Sequence, residues 1–338
     1  MSKEPLFQEP TVCFRAIKRK GALRYIASLK RGSLNAMTRF APPTKKIPKL
    51  ILMFAGWIDF RISVKFNWII PLAVSEDFLS QVANLLEASP EDIGLYVGEP
   101  TAQQKLVATD ITGKSHFVLK IARGAEADES IRRETMGIKN AISYECWPLG
   151  IPAIRNIEPI CGREAILVER VKGSQLTQNE FEKLFFDDKY ILHKTNTERD
   201  KSNTITIEQW LDSTSISKSE ILTPIINKCR KIGALEILSP LGLVHGDFAP
   251  WNVIKKETSR NLGRETKDPK MFKSSLIAID WEFSCQDKPV IFDIAYAAWC
   301  YETLLGRQAA KIKATKWKQL VSLGALWEKM RNEFCTQR

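Results

Sequence analysis

The sequence predicts an α+β fold in two parts, a small antiparallel sheet followed by a mostly helical body. Three strand-like runs crowd between residues 93 and 121, and apolar residues recur at helical spacing through most of the second half. Length agrees, because 338 residues is about twice the ~150 common for one domain. With 44% hydrophobic and 26% charged residues the composition is that of a soluble globular protein, which excludes disordered, collagenous and fibrous classes. The seven cysteines are scattered and never form a CxxC pair, as expected of reduced thiols in a cytoplasmic protein. They indicate neither a disulfide framework nor a zinc scaffold.

Residues 1–74 read as a basic N-terminal extension. They hold 14 basic and 3 acidic residues, whereas the remainder is balanced at 36 and 36, so the whole net charge of +11 belongs to this segment. Pro42, Pro43 and Pro48 mark a breaker-rich linker behind a loosely structured or helical preface. One-sided charge attracts anionic surfaces over a range set by salt. Phe54, Trp57, Phe60, Phe66 and Trp68 beside basic residues suit a peripheral contact with an anionic membrane, such as the inner membrane surface; a helix or strand packed on the body explains the same aromatics. The apolar run Leu50 to Ile58 is followed by Asp59, Arg61 and Lys65, so no ~20-residue uncharged span exists. Phe14, Ile17, Ala22 and Ile26 are interleaved with basic residues, unlike a signal-peptide core. No nucleic-acid motif accompanies the charge, and nucleic acid is not expected as a partner.

Residues 75–170 form the sheet part. Ser75 is an N-cap candidate for a helix carrying Phe78, Val82, Leu85 and Leu86, closed by Ser89-Pro90. Strands follow at Ile93 to Val97, Leu106 to Ile111 and His116 to Ile121. In the third, Phe117, Leu119 and Ile121 share one face, and Lys120 lies on the other with His116 and Val118. A helix is expected over about Asp128 to Ile142. At 100° per residue from Ile131, Ile138 falls at about −20°, Ile142 at about +20° and Glu134 at about −60°. Glu134 thus lies inside or at the edge of the apolar stripe and needs a buried partner, for which Lys120 is the candidate. A further strand spans Ala165 to Val171.

Residues 171–338 are mostly helical. Thr223-Pro224 opens a helix with Ile225, Ile226, Cys229, Ile232 and Leu235 on its buried stripe. Leu243-Val244 and Leu276 to Ile279 are short strands, and the chain from Ile291 to Arg338 reads as terminal helices. Each strand delivers polar groups at its end: His245, Asp247 and Asn252 after the first, Asp280 and Glu282 after the second. Phosphoryl transfer needs metal ions to neutralise phosphate charge and a carboxylate to orient the attacking hydroxyl. An Asp five residues before an Asn, then an Asp at the end of the next hairpin strand, matches that requirement in the pattern H-x-D-x-x-x-x-N followed by a metal-binding Asp.

In these motifs the chain resembles the aminoglycoside phosphotransferase and choline kinase-like family from about Ile93 to Tyr301. His245-Gly-Asp with Asn252, and Ile279-Asp-Trp-Glu282, are closer to that family than to the His-Arg-Asp and Asp-Phe-Gly of protein kinases. The resemblance implies a bilobal protein-kinase-like fold, with residues 75–170 as the nucleotide-binding N-lobe and 171–338 as the catalytic and acceptor-binding C-lobe. It implies ATP and Mg²⁺ as cofactors. It makes Asp247 the catalytic base, places Asn252 and Asp280 on Mg²⁺, Lys120 on the α- and β-phosphates, and Glu134 on Lys120. Glu169 to Val171 would contact adenine, and Asp293 would support the catalytic loop as a structural carboxylate.

Two departures stand out. The stretch Gly98 to Lys105 lacks G-x-G-x-x-G, so a phosphate-covering turn there would rely on backbone N–H groups, with Thr101 or Lys105. The 27 residues between Asn252 and Asp280 exceed what a short hairpin needs, and residues 255–273, with 7 basic and 3 acidic side chains, read as an inserted mobile loop. His245 reads as a structural hydrogen-bonding residue, Trp251 and Trp281 as packing. The expected activity is transfer of a phosphoryl group to a hydroxyl of a small molecule or glycan. Its rival is a non-catalytic kinase-fold scaffold anchored through the basic segment.

Overall fold

The computed structural model describes residues 12–19, 22–28, 70–98, 100–144, 147–186, 204–214, 216, 219–256, 275–309 and 312–336. The chain divides into two compact units. The first takes in the described residues of Met1–Arg132 and Ala153–Arg170, and the second those of Arg133–Pro152 and Val171–Arg338.

The first unit is built on one antiparallel sheet of eight strands. Its members are β1 (Val12–Arg19), β2 (Ala22–Ser28), β3 (Ile70–Val74), β4 (Ile93–Val97), β5 (Lys105–Asp110), β6 (Phe117–Ala122), β7 (Ile154–Asn156) and β8 (Ala165–Glu169). Their order across the sheet is β3-β1-β2-β4-β5-β6-β8-β7. Helix α1 (Glu76–Leu86) starts where expected, with Ser75 Oγ accepting the Phe78 N–H. Its Phe78, Leu79, Val82 and Leu86 bury one sheet face together with Leu95, Leu119 and Ile121. On the opposite face Val118, Ala122 and Ile166 meet Ala127 and Ile131 of α2 (Ala125–Ser143). Period two therefore puts Lys120 on the face that α2 covers.

The N-terminal segment corrects the sequence reading. Its described residues do not form a loose or helical preface but three strands of the same sheet, with β2 hydrogen-bonded to β4 through Tyr25↔Tyr96 and Ala27↔Gly94. Val12, Phe14 and Ala16 recur at period two, and basic residues among them obscured the alternation. Strand β1 also pairs with β3, Val12 opposite Val74, a long-range partnership that local spacing does not reveal. The aromatic run from Phe54 to Trp68, and with it the membrane-contact reading, lies outside the described residues.

The second unit contains two three-stranded antiparallel sheets. One joins β10 (Thr204–Thr206), β11 (Leu238–Val244) and β14 (Cys285–Pro289), and the other β9 (Gly173–Gln175), β12 (Val253–Lys256) and β13 (Leu276–Ala278). Around them stand α3 (Gln178–Phe186), α4 (Ile207–Asp212), α5 (Thr223–Lys231), α6 (Ile291–Thr303) and α7 (Ala314–Thr336). Helix α5 begins one residue earlier than its Thr-Pro signal suggests, with Leu222 as N-cap and Thr223 already helical. Residues 255 and 256, expected in an inserted loop, belong to β12, and the Lys255 ammonium meets Glu180 of α3 at 2.6 Å. Residues 257–274 lie outside the described residues. Among the described residues no helix is long and apolar enough to cross a membrane.

The C-terminal half of α2, from residue 133, belongs to this second unit. Glu134 and Ile138 are fully buried, whereas Ile142 is 60% exposed, against the expectation that it shares the stripe. Buried Ala127, Glu134, Ile138 and Ala141 centre the stripe at about −50° from Ile131, leaving Ile142 at its margin in the last turn. Gly137 lets the helix come close to the turn after Asp280, since a Cβ there would strike Trp281 O and Ser284 Oγ.

Candidate active site

Strand β11 ends at Val244, and the chain turns at once into His245-Gly246-Asp247. A turn this tight leaves backbone N–H groups without strand partners, and Asp293 in the first turn of α6 takes two of them. Its Oδ2 accepts from His245 N and its Oδ1 from Gly246 N, both at 2.9 Å. Gly246 has φ +81°, a region that L side chains avoid. The Trp327 indole of α7 donates to the Gly246 carbonyl at 2.7 Å, so α6 holds the peptide before Gly246 and α7 the peptide after it.

His245 is completely buried, with Trp281 at 4.6 Å and Trp147 at 6.4 Å between ring centroids. Its Nε2 lies 2.9 Å from the Ile279 carbonyl, which only accepts, so Nε2 carries the proton and Nδ1 faces the Asp247 N–H at 3.4 Å. Burial pushes the imidazole down to about 4, against the pull of Asp247 and Asp280. Burial also pushes Asp293 up to about 7, against its two backbone donors.

A pH dependence follows. The stabilising effect of neutral His245 is complete above its ordinary value of 6.5 and is lost as pH falls towards 4, by about 3 kcal/mol in all. Asp293 works in the other direction, taking up a proton in the fold as pH falls below about 7, and is common to both proteins compared. Urea denaturation of wild type and His245→Gln between pH 4.5 and 7.5 should therefore show the wild-type advantage shrinking on acidification. An advantage independent of pH would mean the imidazole is not held neutral.

The carboxylate of Asp247 is held at both oxygens. Asn252 Nδ2 lies 2.9 Å from Oδ2 and 2.9 Å from the Asp247 main-chain oxygen, and Arg331 NH1 of α7 lies 2.7 Å from Oδ1. With both amide hydrogens directed at Asp247, the Asn252 side chain has its Oδ1 left to offer a cation. The Ile279 N–H donates to the Asn252 carbonyl at 2.9 Å, which sets Asp280 beside Asn252 across the β12–β13 hairpin. Asp280 itself has φ +67°, an uncommon conformation for a residue with a side chain and one that collects at functional sites. Both residues supply hard oxygen atoms, the donors Mg²⁺ prefers, and that ion usually leaves its remaining positions to water and phosphate. Among the described residues no group of three or more His, Cys, Asp or Glu side chains lies together as a metal site.

The structure thus brings together Asp247, Asn252 and Asp280. Glu134 is buried in the same unit, and its charge reaches His245. Lys120 and Glu169 stand in the first unit, and Val171 begins the longer segment of the second. Lys120 is partly exposed on β6, between Val107 and Ile166 of the flanking strands. Glu169 exchanges backbone and side-chain hydrogen bonds with Ala153, its N–H donating at 2.7 Å and its Oε2 accepting at 3.1 Å. The Arg170 N–H goes to His116 O. In the Gly98 to Lys105 turn, Gln104 takes a part that sequence reading did not give it, donating to Gly98 O at 2.8 Å and accepting from Arg123 at 2.8 Å. Sequence reading also missed Arg331 and Trp327. Both lie in a terminal helix about 80 residues from the loop they hold, with no motif of their own.

No family model matches the chain, and no curated protein matches it. Solved structures do. The microcompartment-associated aminopropanol kinase is 11% identical over 78% of this chain and 98% of its own, with TM-score 0.38. Wild-type aminoglycoside 2'-phosphotransferase-IIIa, as its GDP complex, is 13% identical over 70% of this chain and 85% of its own, with TM-score 0.38. The ethanolamine kinase of Plasmodium vivax is 10% identical over 90% of this chain and 82% of its own, with TM-score 0.37. At such low similarity, function has to be read from the chain's own residues.

Proposed function

We propose that this chain is an ATP- and Mg²⁺-dependent phosphotransferase of the bilobal kinase-like type, moving the γ-phosphoryl group to a hydroxyl of a small molecule or glycan, with a sugar or glycolipid preferred. The observation that carries the reading is the Asn252 amide. It directs its nitrogen to two oxygens of Asp247 and so leaves its own oxygen for a cation, which Asp280 would share. Asn252 and Asp280 would hold Mg²⁺, which when bound neutralises phosphate charge. Asp247 orients the acceptor hydroxyl and takes its proton. In this reading Lys120 binds the α- and β-phosphates and Glu134 is the buried carboxylate that serves it. The Glu169 to Val171 stretch contacts adenine. Because the N–H groups of 169 and 170 go to Ala153 and His116, the Val171 backbone is its principal donor to the base. Residues 75–170 serve the nucleotide and 171–338 catalysis and acceptor.

Thermal unfolding with and without MgATP tests this. A nucleotide at a hundredfold excess over Kd should stabilise the native protein by about 2.7 kcal/mol, and Asp280→Asn should lose the Mg²⁺-dependent part of that gain. Absence of any shift with MgATP or MgGTP would sink the reading in favour of a non-catalytic body.

A further inference from the structure

We infer that Arg331 of α7 is a positioning residue for the Asp247 carboxylate, locking the base of the proposed transfer in a single orientation. The inference rests on the phosphotransferase reading and deepens it. Its starting point is how completely the guanidinium is constrained. NH1 reaches Asp247 Oδ1 at 2.7 Å, and Nε bonds Glu328 one turn back on the same helix. Its Cζ also lies over two aromatic rings, 4.6 Å from the centroid of Phe283 and 4.5 Å from that of Tyr296. Two charged hydrogen bonds and two ring contacts together restrain the planar group, in a way that a lysine would not reproduce in full.

Stability alone does not account for this arrangement. The pair is largely out of water, with side-chain exposures of 13% for Arg331 and 18% for Asp247. At such burial the desolvation of two charges offsets most of their attraction, and an apolar side chain beside the two rings would pack as well. What the arginine adds is direction. Asp247 has one oxygen on Asn252 and one on Arg331, so χ1 and χ2 are both set, and each oxygen keeps a further lone pair for an incoming hydroxyl. A base held in this way meets its acceptor already aligned, where a freely rotating carboxylate would lose part of the advantage of proximity. Helix α7 is the template for this. Trp327 fixes the carbonyl of Gly246, and four residues later Arg331 fixes the next side chain.

The test is a double-mutant cycle on phosphoryl release from γ-labelled MgATP, with glycerol and glycan fragments supplied as acceptors in water. Rates are corrected for the native fraction found by denaturation of each variant. Arg331→Met, which keeps an apolar stem beside the rings, should lower turnover about 30-fold with KM for MgATP within twofold of wild type. Arg331→Lys, which keeps the charge, should recover part of that loss and stands in if the Met variant does not fold. In an Asp247→Asn background neither change should lower turnover further, because the arginine acts through the carboxylate. Equal losses in both backgrounds would overturn the inference, as would a loss confined to KM. Release by wild type that is absent despite a MgATP shift would overturn it too. Absence of both release and shift in wild type would instead overturn the phosphotransferase reading beneath it.

Discussion

Asp247→Asn should reduce phosphoryl transfer about 10³-fold, the range over which a positioned general base acts. The amide can still accept from Asn252 on its oxygen, so the loop keeps its course, but it can no longer take a proton from the acceptor. The same change has a second cost. It removes the carboxylate facing Arg331, leaving a guanidinium at 13% exposure with Glu328 as its charged partner, and should destabilise the fold by about 1–3 kcal/mol. Rate and stability measured on one preparation separate the two effects. Full turnover by a folded Asp247→Asn protein would show that another group serves as base.

Gly246→Ala is expected to be the most disruptive single-atom addition in the loop. The residue sits at φ +81°, and a Cβ would also run into the Phe283 carbonyl oxygen, which is backbone and has no rotamer to retreat to. The left-handed conformation costs about 1–2 kcal/mol and the overpacking about 1–3 more. A loss near 4 kcal/mol in urea denaturation, with transfer abolished, is the expected outcome. The Asp293 and Trp327 bonds would both have to shift, since one ends on the N–H of Gly246 and the other on its carbonyl. An Ala variant within 1 kcal/mol of wild type would show that the loop has room to rearrange.

How much of this was legible beforehand depends on the distance over which each feature is encoded. That His245, Asp247, Asn252 and Asp280 come together could be read because their placement is carried by spacing along the chain and by the apolar strands that deliver them. Helix α1 and strands β4 to β6 were legible for a similar reason, being local periodicities with a capping serine or a turn between them. Strands β1 to β3 were not. Although β1 and β2 are joined by a short turn, their other partners β3 and β4 lie across a long intervening segment, and arginines and lysines dilute the alternation in β1 and β2. The Arg331 contact was invisible for a stronger reason, because no rule of helix composition says which surface arginine will find a carboxylate 84 residues away. Glu134 shows the intermediate case. Its inward placement followed from a single angle, but the true centre of the stripe needed the burial of Ala127 and Ala141 to locate it.

The aromatic surroundings of His245 have a practical consequence. Trp147 and Trp281 lie against its ring, and Trp327 donates its indole N–H into the adjoining peptide, so three of the nine tryptophans of the chain surround one loop. Indole emission responds to hydrogen bonding and to the charge of a neighbouring imidazole. The chain therefore carries an intrinsic optical reporter at the place where chemistry is proposed, and titration of unlabelled protein followed by fluorescence would read the state of that loop directly.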